Sequence, residues 1–162
     1  MSIEIKAISQ DDHVWVMHFL EEVAHSLRVV SRGVLHEPGK LPGFIGWHEG
    51  KRASLLTYHI ANGELEVVTL HSDVEGQGLG SGLLQATQDI AIDHKCHRLW
   101  LITTNDNTNA IRFYQKQGML IKAIHINALA HSRTLKPEIP FIGNDGIPIR
   151  DEIEFEASFS NC

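Results

Sequence analysis

The chain predicts an α/β fold in which helices flank a mixed sheet whose middle strands are antiparallel. Three observations carry this. The run Leu65-Glu66-Val67-Val68-Thr69-Leu70 is short, apolar and β-branched, as a strand is. A glycine-rich turn, Gln77-Gly78-Leu79-Gly80-Ser81-Gly82, leads from it to Leu83, Leu84, Ala86, Thr87, Ile90 and Ala91, spaced as one buried face of a helix. Just upstream, Asn62-Gly63 is a strong two-residue hairpin turn between two strand-like runs.

The other elements follow in order. Ile3 and Ile5, and less regularly Ala7 and Ile8, alternate with polar residues and predict a first strand. Ser9, Asp11 or Asp12 can cap the next helix, in which Val14, Trp15, Phe19, Leu20 and Val23 recur at helical spacing. Its end is expected between residues 27 and 30. Gly33, Pro38, Gly39 and Pro42 mark residues 33–42 as a loop. Residues 43–48 and 52–60 predict a hairpin about Glu49-Gly50-Lys51, and residues 64–71 a third antiparallel strand. Beyond the loop helix, Arg98-Leu99-Trp100-Leu101-Ile102-Thr103 reads as a strand. Asn105-Asp106-Asn107-Thr108-Asn109 is turn and cap chemistry, and a helix over 108–117 is stopped by Gly118. A strand over 119–127, a short helix over 128–136 ended by Pro137, a long loop and a last strand over 150–159 complete the chain. In that last strand Ile153, Phe155 and Ala157 share a face. No repeat or low-complexity stretch divides it, so a single domain, 1–162, is expected.

Hydrophobic residues make up 43% and charged residues 21%, which is ordinary for a globular protein. A formal net charge of −6 argues against a nucleic-acid footprint and favours a cationic or amine substrate. Two cysteines, Cys96 and Cys162, do not suggest a disulfide framework. The start Met1-Ser2-Ile3-Glu4-Ile5-Lys6 lacks a secretory pattern, and no apolar run reaches membrane-span length. A reduced, cytoplasmic setting is therefore expected, with no membrane partner.

Strand, glycine turn and helix start together suit an anion. The first N–H groups of a helix lack internal partners, and the macrodipole adds positive charge there. Two familiar phosphate loops fail. From Gly76 the Walker pattern reaches Ser81 with no Lys after it. The dinucleotide pattern ends on Ser81 or Leu83 where glycine or alanine is needed. Gln/Arg-x-x-Gly-x-Gly/Ala is met by Gln77, Gly80 and Gly82, and here the chain resembles the GNAT superfamily of acetyl-CoA-dependent N-acetyltransferases. Asn109-Ala110-Ile111-Arg112-Phe113-Tyr114-Gln115-Lys116-Gln117-Gly118-Met119 is similar to a second stretch of that family, with Met119 where Phe is usual. The run from Lys136-Pro137-Glu138 to Arg150-Asp151-Glu152 looks like a tail shared by uncharacterised bacterial members and names no acceptor.

The resemblance implies the GNAT fold, a mixed, mostly antiparallel seven-strand sheet flanked by helices, and acetyl-CoA as cosubstrate. It implies that the backbone of Val68, Thr69 and Leu70 pairs with the pantetheine arm. Gln77, Gly78, Leu79, Gly80, Ser81 and Gly82 would wrap the pyrophosphate. Asn109 would touch the pantetheine or order the loop, unless it only caps a helix. Residues 33–42 would border the acceptor site, and two copies pairing through the last strands is an option the family allows.

Acetyl transfer to an amine needs a deprotonated nitrogen, a held carbonyl and a stabilised thiolate. Tyr114 is implied as general acid at the sulfur, against a bland reading as a core aromatic beside Phe113. Glu66 is the candidate base, with Glu64 on the same strand face competing, and the bland reading is a paired strand carboxylate. His71 and His59 are weaker candidate bases. His94-Lys95-Cys96-His97 invites a zinc reading, but no second close pair of ligands supports it, so no metal is expected. Neither cysteine lies in a motif, so direct attack on acetyl-CoA in a ternary complex is expected. The alternatives are a CoA-binding sensor without catalysis and a nucleotide-binding regulatory domain.

Overall fold

The computed structural model describes residues 2–159; Met1 and residues 160–162, with Cys162, lie outside them. Its centre is a seven-stranded sheet. Strands β1 (Ile3–Ala7), β4 (Gly43–His48), β5 (Lys51–Ala61), β6 (Glu64–Ser72), β7 (Arg98–Thr104), β9 (Glu152–Ser158) and β8 (Leu120–His125) follow one another in that spatial order. All neighbours are antiparallel except β6 and β7. A parallel pair needs a crossover, and α2 (Leu79–Asp93) supplies it.

One face of the sheet carries the main core. Leu56, Leu65, Val67, Leu99, Leu101 and Phe155 pack there against Leu83 and Leu84 of α2 and Tyr114 of α3 (Thr108–Lys116). Met119 joins this cluster at 2% exposure, so its thioether fills the place expected of an aromatic ring. On the other face Val16, Phe19 and Leu20 of α1 (His13–Val23) cover Ile45 and Leu55. As the spacing predicted, α3 ends at a glycine in the left-handed region, Gly118 at φ +88°. Cys96 is buried in the main cluster.

Two expectations need correction. Helix α1 stops at Val23 rather than between residues 27 and 30, because His25 takes a positive φ of 58° and breaks the helical path. The predicted loop over 33–42 contains structure. Short strands β2 (Val29–Ser31) and β3 (Val34–His36) pair as a hairpin around Arg32-Gly33, both at positive φ, and a 3₁₀ turn over Pro38–Lys40 follows. Such a turn favours Asn-Gly, and arginine hides it. The strands are only three residues long, and a distant carboxylate helps: Glu152 Oε2 accepts from the Arg32 N–H at 3.3 Å. The short helix α4 (Ala128–Leu135) forms as predicted, and its Arg133 donates to the Pro140 and Ile149 carbonyls, tying down the long loop.

Candidate active site

The site begins where two parallel strands part. β6 pairs with β7 only from Glu64 opposite Arg98 to Val67 opposite Leu101. β6 continues to Ser72 and β7 to Thr104, so beyond Val67 the two splay apart. The opposite edge of β6 is irregular at the same place. Thr57 of β5 faces Thr69 while Tyr58 faces Val67, which makes Val68 the extra residue of a bulge. A buried Thr57 Oγ1–Thr69 Oγ1 hydrogen bond of 2.8 Å pins it. Main-chain groups of Val68, Thr69 and Leu70 thus border an open wedge, where an extended ligand can add as a strand does.

On the helix side of the wedge lies a cleft of about 670 Å³, within the usual range for a ligand pocket. Gly76 to Ser81 form one wall, with Leu70 and His71, and Asn109, Arg112, Phe113, Tyr114 and Lys116 of α3 form the other. Helix α2 begins at Leu79, earlier than the apolar spacing suggested, so Gly80, Ser81 and Gly82 form its first turn. Its N-cap, Gly78, sits at φ +78° and offers no side chain to the free N–H groups. Those donors and the helix dipole are left to an anion in the cleft.

Gly80 has a second reason to be glycine: a Cβ there would lie 2.8 Å from Cζ of Phe113. Gly80→Val would therefore disturb α3 as well as a ligand. Ser81→Asp separates the two effects. Its carboxylate suits a helix N-terminus, so stability should hold or rise by about 0.3–1 kcal/mol. It would also face a bound pyrophosphate, so CoA affinity should fall at least about tenfold. Calorimetric CoA titration with a thermal melt checks both, and undiminished affinity would remove the phosphate from this loop.

The capping role belongs to Asn107, whose Oδ1 accepts from the Ala110 N–H at 3.2 Å. Asn109 lines the cleft instead. Arg112 and Lys116 also line it, an i, i+4 pair of cations on one helical face. In the chain only their i, i+4 spacing inside the motif marks them.

Tyr114 lies beneath this cleft, packed on Phe113 and Phe155 and almost wholly buried. Burial pushes its phenol well above the ordinary value, so it stays protonated throughout the physiological range. His71 borders the same cleft, and burial, helped by nearby His25, holds its imidazole below the usual value.

The two glutamates on β6 have different fates. Glu64 is bound by Arg98, with Nε at 2.9 Å, and Arg98 also holds Glu154 and Glu156. The Arg98 guanidinium thus occupies a Glu64 oxygen that a substrate amine would otherwise meet. Glu66 is 6% exposed, and its nearest titratable neighbour is His36 of β3, Nε2 at 3.5 Å from Oε1. The His36 ring stands edge-on to His59. Glu66 lines two smaller cavities under the β2–β3 hairpin. One, of about 210 Å³, reaches Val67 and Val68 at the wedge and ends on Glu152. The other, of about 250 Å³, is bordered by His36, His59 and Glu64. Of the hairpin region, residues 29–36 border these two cavities, whereas residues 37–42 do not line them. His36, Ser31 and Glu152 had no signal in the sequence. Among the described residues no cluster of three or more metal-ligating side chains occurs.

A helix N-terminus open to a cleft, beside a strand with one free backbone edge, suits an extended ligand that carries phosphate. The chain belongs to the GNAT acetyltransferase family, whose model matches residues 6–119. It is 45% identical over 117 residues to the protein YdhI of Bacillus subtilis strain 168, itself described as uncharacterized, covering 72% of this chain and 73% of that one. The IAA acetyltransferase structure from Bacillus cereus has a similar fold, with TM-score 0.76 and 18% identity over 98% of this chain and all of that one. So does a GNAT family acetyltransferase from Elizabethkingia anophelis with acetyl-CoA bound, with TM-score 0.66 and 16% identity over 97% of this chain and 98% of that one. The seven-strand sheet and its flanking helices are those of this fold. No described helix is long and apolar enough to cross a membrane.

Proposed function

We propose that the protein transfers the acetyl group of acetyl-CoA to a primary amine by direct attack in a ternary complex. The observation that carries this reading is the parting of β6 from β7 beyond Val67: Val67 and Val68 border the cavity of Glu66, and Leu70, two residues on, borders the cleft of Tyr114. Acetyl-CoA enters from the α2 side, with its phosphates on the first turn of α2 and its pantetheine along Val68, Thr69 and Leu70. Acetyl-CoA in the Elizabethkingia structure supports this cosubstrate. The amine enters from the hairpin side.

The chemistry then divides between the two faces. As the nitrogen bonds to the thioester carbon, the carbonyl oxygen gains charge, and main-chain N–H groups freed at the bulge stabilise it. The proton lost by nitrogen goes to Glu66, directly or through one water. As the carbon–sulfur bond breaks, the sulfur takes a proton from Tyr114, which water then restores. Glu66 and Tyr114 approach the reacting carbon from opposite sides of the sheet, so neither competes for the other's proton.

A thiol-release assay with acetyl-CoA, run over aminoglycosides, polyamines, amino acids, peptide N-termini and protein lysines, tests the reading. Turnover with one class and acetylation of its nitrogen by mass spectrometry are the expected result. Tight CoA binding with no turnover anywhere would make the protein a CoA sensor instead.

A further inference from the structure

We propose that the cavity ending on Glu152 binds a second cationic group of the acceptor, apart from the amine that reacts. This rests on the acetyl-transfer reading above and names the substrate class: a compact amine with a second positive centre and no neighbouring carboxylate.

The first observation is a buried carboxylate with one oxygen free. Glu152 is 2% exposed. Its Oε2 accepts from the Arg32 N–H, while Oε1 has no hydrogen-bond donor among the described residues. The Arg32 guanidinium stands 3.5 Å from Oε1, too far for a hydrogen bond, on a side chain that is 43% exposed. Ser31 Oγ lines the same cavity and is likewise buried and unpartnered. Burying a carboxylate oxygen without a donor and a hydroxyl without a partner is costly, and an ammonium supplies three donors. The remaining walls include Val29, Val30, Ile102 and Leu129, which suit an alkyl chain.

The second observation is spacing. Glu66 lies opposite Trp100 on one side of β7, and Glu152 opposite Thr104 on the other. That is about 13 Å along the strand and about 10 Å across two strand spacings, with both side chains lining one cavity. Backbone positions that far apart leave room between the two side chains for a short chain with nitrogen at each end, the reacting amine at Glu66 and the wedge and the other ammonium at Glu152. Arg32 is the counter-ion that the incoming cation displaces.

Three acceptors of one length test this: 1,4-diaminobutane, butylamine and 4-aminobutanoate. For the wild type, KM for the diamine should be at least about tenfold below that for butylamine, with 4-aminobutanoate the poorest. Glu152→Gln should raise KM for the diamine about tenfold or more while kcat falls far less. Arg32→Gln removes the competing cation and should lower it, an opposite sign that a merely disrupted hairpin would not produce. Calorimetric titration of the same amines into CoA-loaded protein should give the same order without any turnover. Equal use of diamine and butylamine, or a Glu152→Gln protein that keeps the preference, overturns the subsite. Diamine binding through Glu152 with no thiol released by any amine would instead leave the subsite standing and remove the transfer reading.

Discussion

Tyr114→Phe should lower kcat by roughly ten- to a thousandfold, the range expected of one acid–base group, and leave acetyl-CoA binding nearly unchanged. The substitution keeps the ring that packs on Phe113 and Phe155 and removes one oxygen. Because burial raises the phenol far above its ordinary value, Tyr114 serves as a donor and never as a base near neutrality. The same shift has a consequence for stability. Below about pH 10 the tyrosine is neutral in both folded and unfolded chains. Above that value the unfolded chain ionises while the folded one resists, so stability falls as pH rises. Tyr58, raised by burial as well, contributes in the same direction. Tyr114→Phe should flatten part of that alkaline decline, measured as Tm against pH from 8 to 11. Wild-type kcat in the variant with a good acceptor would reduce Tyr114 to a packing residue.

Glu66→Gln should cut kcat/KM most strongly near neutral pH. An alkylamine is mostly protonated there, and the amide that replaces the carboxylate cannot take its proton. Part of the rate should return as pH rises toward the amine's own pKa, since free amine then needs no base. Glu64→Gln should alter the profile little, because Glu64 is held in the Arg98 network, and its loss should appear as lower stability instead. The check is a full pH–rate profile of both variants with one acceptor. If Glu66→Gln keeps the acidic limb of the wild type, the proton leaves through another group. His71, kept neutral by burial at the edge of the donor cleft, is then the next residue to replace.

The glycine loop and the residues around the cleft proposed for the donor were legible in the chain because their signals are local. Gly78, Gly80 and Gly82 bend and open one turn, Tyr114 and Asn109 share one helix, and Gly118 stops it, all within a few residues of one another. The strand order around β6 was legible for the same reason: turn chemistry at Asn62-Gly63 and alternation on either side are short-range properties.

The cavities under the β2–β3 hairpin are built from residues far apart in the chain, and nothing local marks Ser31, His36 or Glu152. Ser31 and His36 belong to a hairpin whose Arg32-Gly33 turn carries the wrong first residue for its type and donates an N–H to Glu152, 120 residues away. Glu64 and Glu66 are indistinguishable by alternation. Arg98, brought beside Glu64 by the parallel pairing of β6 and β7, is what separates a carboxylate held by a guanidinium from one that faces His36. Backbone propensity and periodicity act over a turn of helix or a pair of strands, so they specified the fold and the anion loop. Which charges meet, and which stay unpaired, depended on a sheet order that places β9 beside β7 and on the wedge that opens beyond Val67.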